Sequence, residues 1–104
     1  MDRIAKQIAN ELKKGISEKY TLNEMKVFGS TVRGNRREDS DIDVFVLLPK
    51  VSREVEEDLF DIAYDLELKY DCLIDLIVFD EKALDGKFGT TPIYQKVLRE
   101  GLLV

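Results

Sequence analysis
The sequence predicts an α/β sheet covered by helices, and three observations support that class. Stretches with apolar residues at i and i+4 alternate with short runs that are almost continuously apolar. Their order reads α-β-(short α)-β-α-β-α, the alternation that lays helices on the faces of a sheet. No internal repeat, low-complexity segment or linker divides the 104 residues, so positions 1–104 read as a single domain.

Residues 2–14 place Ile4, Ile8 and Leu12 with Ala5 and Ala9 on one helical stripe, with Asp2 as its cap and Gly15 as its stop. "MKVF" (25–28) reads as a strand stopped at Gly29, residues 30–33 as a brief helical turn and residues 34–40 as a polar loop. "DIDVFVLL" (41–48) is rich in Val, Ile and Phe and reads as a second strand, ended by Pro49. Ser52 caps a helix over 53–69 that buries Val55, Leu59, Ile62, Ala63 and Leu66, with Glu54, Glu56 and Glu57 near the positive end of its dipole. Those acids, together with Asp58, Asp61, Asp65 and Glu67, read as a solvated helix face with no further role. "CLIDLIVF" (72–79) is a third strand, and residues 80–90 read as a loop. Thr91-Pro92 opens a last helix that Gly101 closes before an apolar tail, "LLV". The roles of Tyr20, Tyr64, Tyr70 and Tyr94 stay open, core packing being the default for aromatics at helix positions.

Composition narrows the chemistry. No apolar run is long enough to span a bilayer, and the polar, amphipathic N-terminus lacks the apolar core of a signal peptide, so a cytoplasmic location without membrane contact is expected. The single cysteine, Cys72, excludes an internal disulfide and argues against a cysteine-based zinc site. The chain has no histidine, which removes Ser-His-Asp and Cys-His catalysis and most zinc and iron sites together. Carboxylates, arginines, lysines and hydroxyls remain, and oxygen ligands select magnesium or manganese. A net charge of -5 argues against a duplex-binding module, and nucleic acid is not an expected partner.

Asp41 and Asp43 interrupt an apolar strand, and alternation puts both on the face shared by Phe45 and Leu47. Asp75 does the same inside "LIDLIV". Ionised carboxylates among apolar side chains are costly unless paired or bound to a metal, and two on one face repel each other. A divalent cation relieves both costs, and three carboxylates from two strands match the donor set of two-metal phosphoryl or nucleotidyl transfer. The competing readings are a solvated strand end for Asp41 and an ion pair for Asp75. Gly29 and Ser30 sit between a strand and a helical turn, where free backbone N–H groups and a hydroxyl can meet a phosphate, and Arg33 follows one turn on. The competing reading there is an unliganded strand–turn–helix corner. Arg36 and Arg37 read as loop arginines or as contacts to an acidic partner.

"GSTVRG…DSDIDVFV" followed by "LIDLIV" resembles the signature of the nucleotidyltransferase superfamily typified by DNA polymerase beta: Gly-Ser, a spacer, Asp-x-Asp and a later carboxylate. The chain is most similar to the minimal nucleotidyltransferases, with Val32 at the usual alanine, and "TPIYQKVLREGLLV" resembles their ending. The resemblance implies a small mixed β-sheet flanked by α-helices. It implies that Gly29 and Ser30 hold nucleotide phosphates, that Arg33 steadies them, and that Asp41, Asp43 and Asp75 ligate two Mg2+ ions (or Mn2+), Asp75 also helping to deprotonate the incoming hydroxyl. ATP or another nucleoside triphosphate is the implied substrate.

Stand-alone members of this group resemble antitoxins paired with a helical HEPN-type ribonuclease toxin. For them the family implies transfer of AMP from ATP to a tyrosine of the toxin. The alternatives are an antitoxin acting by contact alone, or nucleotidyl transfer to a small molecule in a pocket completed by a homo- or hetero-oligomer.

Overall fold
A computed structural model describes residues 1–33 and 41–104, with only the backbone described at Arg33, Lys87 and Phe88. Among the described residues five α-helices and four strands follow in the order α1 (Arg3–Lys19), β1 (Glu24–Phe28), α2 (Ser30–Arg33), β2 (Ile42–Leu48), α3 (Arg53–Tyr70), β3 (Ile74–Asp80), α4 (Glu81–Asp85), α5 (Pro92–Glu100) and β4 (Leu102–Leu103). A 3-10 turn over Lys87–Thr90 precedes α5. The strands form one sheet in the order β3-β2-β1-β4, with β1 antiparallel to β2 and β4, and β2 parallel to β3. The expected mixed sheet flanked by helices is what the chain forms.

Side-chain alternation divides the core into two layers. Ile42, Val44, Val46 and Leu48 of β2 join Met25 and Val27 of β1 against α1 and α3, all at most 2% exposed. The opposite face carries Phe28, Phe45 and Val97, with Phe79 and Tyr94 packed around them. Capping follows the expected chemistry: Asp2, Ser52 and Thr91 side chains accept from the N–H groups of Ala5, Val55 and Tyr94. Tyr20 donates to Asp58 and Tyr70 to Glu11, and Lys69 pairs with Glu11 at 2.7 Å, so α1 and α3 are joined by polar contacts as well as by the core. The Asp58 carboxylate raises the Tyr20 phenol to about 12, so this bond keeps its proton at neutral pH.

Three expectations need correction. Gly15 does not stop α1, which runs on to Lys19. Ile16 continues the Ile8–Leu12 stripe and is fully buried. Burying such a side chain gains about 1.5–3 kcal/mol, more than the roughly 1 kcal/mol that a mid-helix glycine costs. Gly15 also lies against α3, where an added Cβ would stand 3.0 Å from Ile62 Cγ2. Second, residues 80–90 are not all loop: Asp80 caps α4 by accepting from Ala83 N at 2.8 Å, and Gly86 closes the helix. Third, the "LLV" tail forms β4 on the far edge of β1, and Val104 N donates to Met25 O at 3.0 Å.

The tight α1–α3 approach makes Gly15→Leu an overpacking change. It is expected to lower unfolding free energy by about 1–3 kcal/mol, read from the midpoint of urea denaturation.

Candidate active site
β1 runs out into Gly29, whose φ of 66° is left-handed and suits a residue without a side chain. The turn closes with Val32 N donating to Gly29 O at 3.1 Å, and α2 starts at Ser30. β2 begins at the same end of the sheet, with Asp43 opposite Phe28 in the β1–β2 register. Gly29 therefore lies directly against Asp43: a Cβ added to it would collide with Asp43 Oδ2. Thr31, fully buried, accepts from Asp43 N at 3.1 Å, tying the glycine turn to the strand that carries the acid.

The parallel ladder then decides which carboxylates meet. Asp43 pairs in register with Asp75, Phe45 with Ile77 and Leu47 with Phe79. Asp43 is half-buried while Asp75 and Asp41 are exposed, Asp41 standing just ahead of β2. Burial pushes the Asp43 carboxyl up from the ordinary carboxylate range, and the nearby charge of Asp75 pushes it further. Lys96 of α5 opposes that shift, Asp41 adds to it, and Asp75 is near enough to share a hydrogen bond with the protonated acid. Beneath the acids, Phe45 meets Phe79 edge-on at 5.6 Å between centroids and Tyr94 at 5.7 Å, giving them an apolar floor.

The structure thus brings together Gly29, Ser30, Asp43 and Asp75, with Asp41 at their margin. The Arg33 side chain, Arg36 and Arg37 lie outside the described residues. Among the described residues no three acidic side chains converge closely enough to form a ready ligand set. The donor chemistry nevertheless fits a hard divalent cation: oxygen ligands only, with two carboxylates forced side by side against an apolar floor. Thr31 and Lys96 were missed in the sequence. Thr31 stood inside "GSTVRG" as an ordinary polar residue, and Lys96 lies more than fifty residues from Asp43 on a helix that otherwise reads as packing.

Residues 9–102 match the family model described as a nucleotidyltransferase domain. The chain belongs to the nucleotidyltransferase domain family. Nucleotidyl transfer is therefore its class of chemistry. The candidate protein adenylyltransferase MJ0141 of Methanocaldococcus jannaschii is 37% identical over 76 residues, 70% of this nucleotidyltransferase and 77% of the relative. Two solved structures share the fold. A toxin–antitoxin crystal structure with AMP-PNP has a chain that aligns with TM-score 0.68 at 24% identity, covering 91% of this chain and 70% of its own. A chain of the Shewanella oneidensis complex of tri-AMPylated HEPN toxin with MNT antitoxin aligns with TM-score 0.60 at 20% identity, covering 95% and 70%. Among the described residues no helix is long and apolar enough to cross a membrane.

Two outcomes follow from the geometry. Gly29→Ala forces a Cβ into both a left-handed backbone and the Asp43 carboxylate. It is expected to cost about 1–2 kcal/mol in thermal or urea unfolding and to cut pyrophosphate release at least tenfold. Asp43 has a raised folded-state pKa, so its protonated form is favoured by folding. The metal-free protein therefore loses stability as pH rises from the ordinary value of 3.8 through the raised one. Asp43→Asn keeps the backbone bond to Thr31 and removes the charge. In EDTA-treated protein at neutral pH it is expected to raise Tm by a few degrees, roughly the shift that follows from about 1 kcal/mol in a domain of this size, with a smaller gain near pH 4 by scanning fluorimetry.

Proposed function
We propose that the chain transfers AMP from ATP to a tyrosine hydroxyl of a HEPN-type toxin and so silences it. The observation that carries this reading is the placement of Gly29 against Asp43, itself in register with Asp75. One rim of the sheet then offers a close backbone approach for phosphate beside paired carboxylates. The family supplies the reaction class. The acceptor class is supported by the MJ0141 relative and by the tri-AMPylated HEPN toxin held in the Shewanella complex, and the nucleotide by AMP-PNP in the other neighbour.

In this reading the triphosphate lies along the Gly29–Ser30 turn, where the glycine admits it to the main chain and Ser30 Oγ donates, with Arg33 as a further cationic donor. Asp41, Asp43 and Asp75 would hold magnesium, or manganese, which supplies neutralising charge to the triphosphate and the departing pyrophosphate. The tyrosine oxygen forms a bond to the α-phosphorus as the α–β bridging P–O bond breaks and pyrophosphate leaves. The phenolic proton passes to the Asp75 carboxylate, exposed at the edge strand where a protein acceptor can reach it. Lys96 offsets part of the negative charge around Asp43 while the site is being loaded. The buried aromatic floor keeps water from the inner side of the carboxylates, strengthening their field.

The test uses the protein encoded beside this one, Mg2+ and ATP, with intact mass spectrometry of the partner. A gain of one or more AMP units is expected, and Asp41→Asn with Asp43→Asn is expected to abolish it while leaving the circular dichroism spectrum unchanged. A partner neutralised with no mass gain would overturn transfer in favour of contact alone.

A further inference from the structure
α3 presents two different faces. The inner one, Leu59, Ala63 and Leu66, is buried against the sheet. The outer one carries Phe60, Tyr64 and Leu68, which are 47%, 57% and 65% exposed. Their spacing of four residues stacks them into a single ridge. Leu73, 61% exposed, continues it beyond the helix end. Isolated exposed apolar residues are ordinary on protein surfaces, but a contiguous ridge of four large ones marks a contact surface.

Beside the ridge, Tyr64, Leu68, Cys72 and Leu73 wall a shallow groove whose remaining lining is acidic, Glu67 and Asp71. Glu67 is fixed there because its carboxylate accepts from Ile74 N at 2.8 Å. Glu54, Glu56, Glu57, Asp61 and Asp65 are exposed around the ridge. The two cations of α3 are both engaged, Arg53 with Glu57 at 3.2 Å and Lys69 with Glu11 at 2.7 Å. The groove also borders the active site: Ile42 N, between Asp41 and Asp43, donates to Leu73 O at 2.9 Å, and Asp75 follows two residues later.

We propose that this ridge and groove are the docking surface for a basic amphipathic helix of the acceptor protein. The proposal rests on the protein-adenylylation reading and adds where the acceptor lands. Apolar knobs four residues apart interlock with the side-chain ridges of another helix. The acidic rim selects lysines and arginines beside those knobs, and the net charge of -5 steers such a partner from a distance. A second copy of this chain would set acid against acid, and nucleic acid or an anionic membrane would meet the same repulsion.

Calorimetric binding tests this with two probes: the protein encoded beside this one, and a Leu/Lys model peptide whose leucines lie four apart with lysines on their flanks. Tyr64→Ser with Leu68→Ser is expected to weaken both at least tenfold. Asp61→Lys with Asp65→Lys is expected to do the same without removing any apolar residue, and wild-type affinity should fall as salt rises from about 50 to about 300 mM. Leu103→Ser, on β4 away from α3, should bind as wild type. Wild-type affinity in both α3 double variants, or loss only in Leu103→Ser, would overturn the proposal. So would a wild-type dimer, seen by light scattering, that the Tyr64→Ser, Leu68→Ser variant dissolves. Binding lost on α3 with no AMP transferred by wild type would sustain the docking surface while removing the transfer reading.

Discussion

Two parallel strands hold Asp43 and Asp75 side by side. Like charges in that position would separate if either strand could slip, and neither can without moving its neighbours from one face of the sheet to the other. A one-residue shift of β3 would lift Ile77 and Phe79 off the Phe45 layer and turn Leu76 outward. The apolar core thus fixes the distance between two groups that oppose being close. Gly29 lies against Asp43 where a Cβ would meet its carboxylate, Thr31 secures its backbone, and Lys96 tempers its charge. Each of these features makes sense only because the acids are held where they are.

The two sides of the sheet divide the work. On one, aliphatic side chains pack against α1 and α3. That layer supplies the bulk of the apolar burial that holds the fold. On the other, a smaller aromatic layer lies under α5, and the polar groups of the site rise from its rim. Charge strain at Asp43 is carried on the thin side, while the thick side resists its effect. This is the arrangement expected of a site that is destabilising until its ligands arrive.

Much of this was legible in the sequence, because the informative residues break local rules. Asp-x-Asp inside a β-branched run and an Asp in the next such run are costly without a purpose, and Gly29 stands where the chain must turn left-handed. The caps Asp2, Ser52 and Thr91 were equally readable. What escaped notice depends on tertiary distance. Gly15 read as a stop because the burial of Ile16 and the closeness of Ile62 are not local facts. α4 carried its own signal in Asp80 and Gly86, but its five residues expose too little apolar pattern to stand out. β4 is two residues long and is defined by its pairing with the edge of β1. The register that sets Asp43 opposite Asp75, and the return of Lys96 toward them, are properties of packing and no spacing encodes them.

α3 serves the core with one set of positions and faces solvent with another, and the two sets share no residue. Substitutions at Phe60, Tyr64 or Leu68 leave the buried layer and the carboxylates untouched. A lineage could therefore exchange its acceptor by drift along one helix surface while the chemistry stayed constant. Such a domain is a reusable cartridge, in which recognition evolves at a rate set by the partner and catalysis at a rate set by the phosphate.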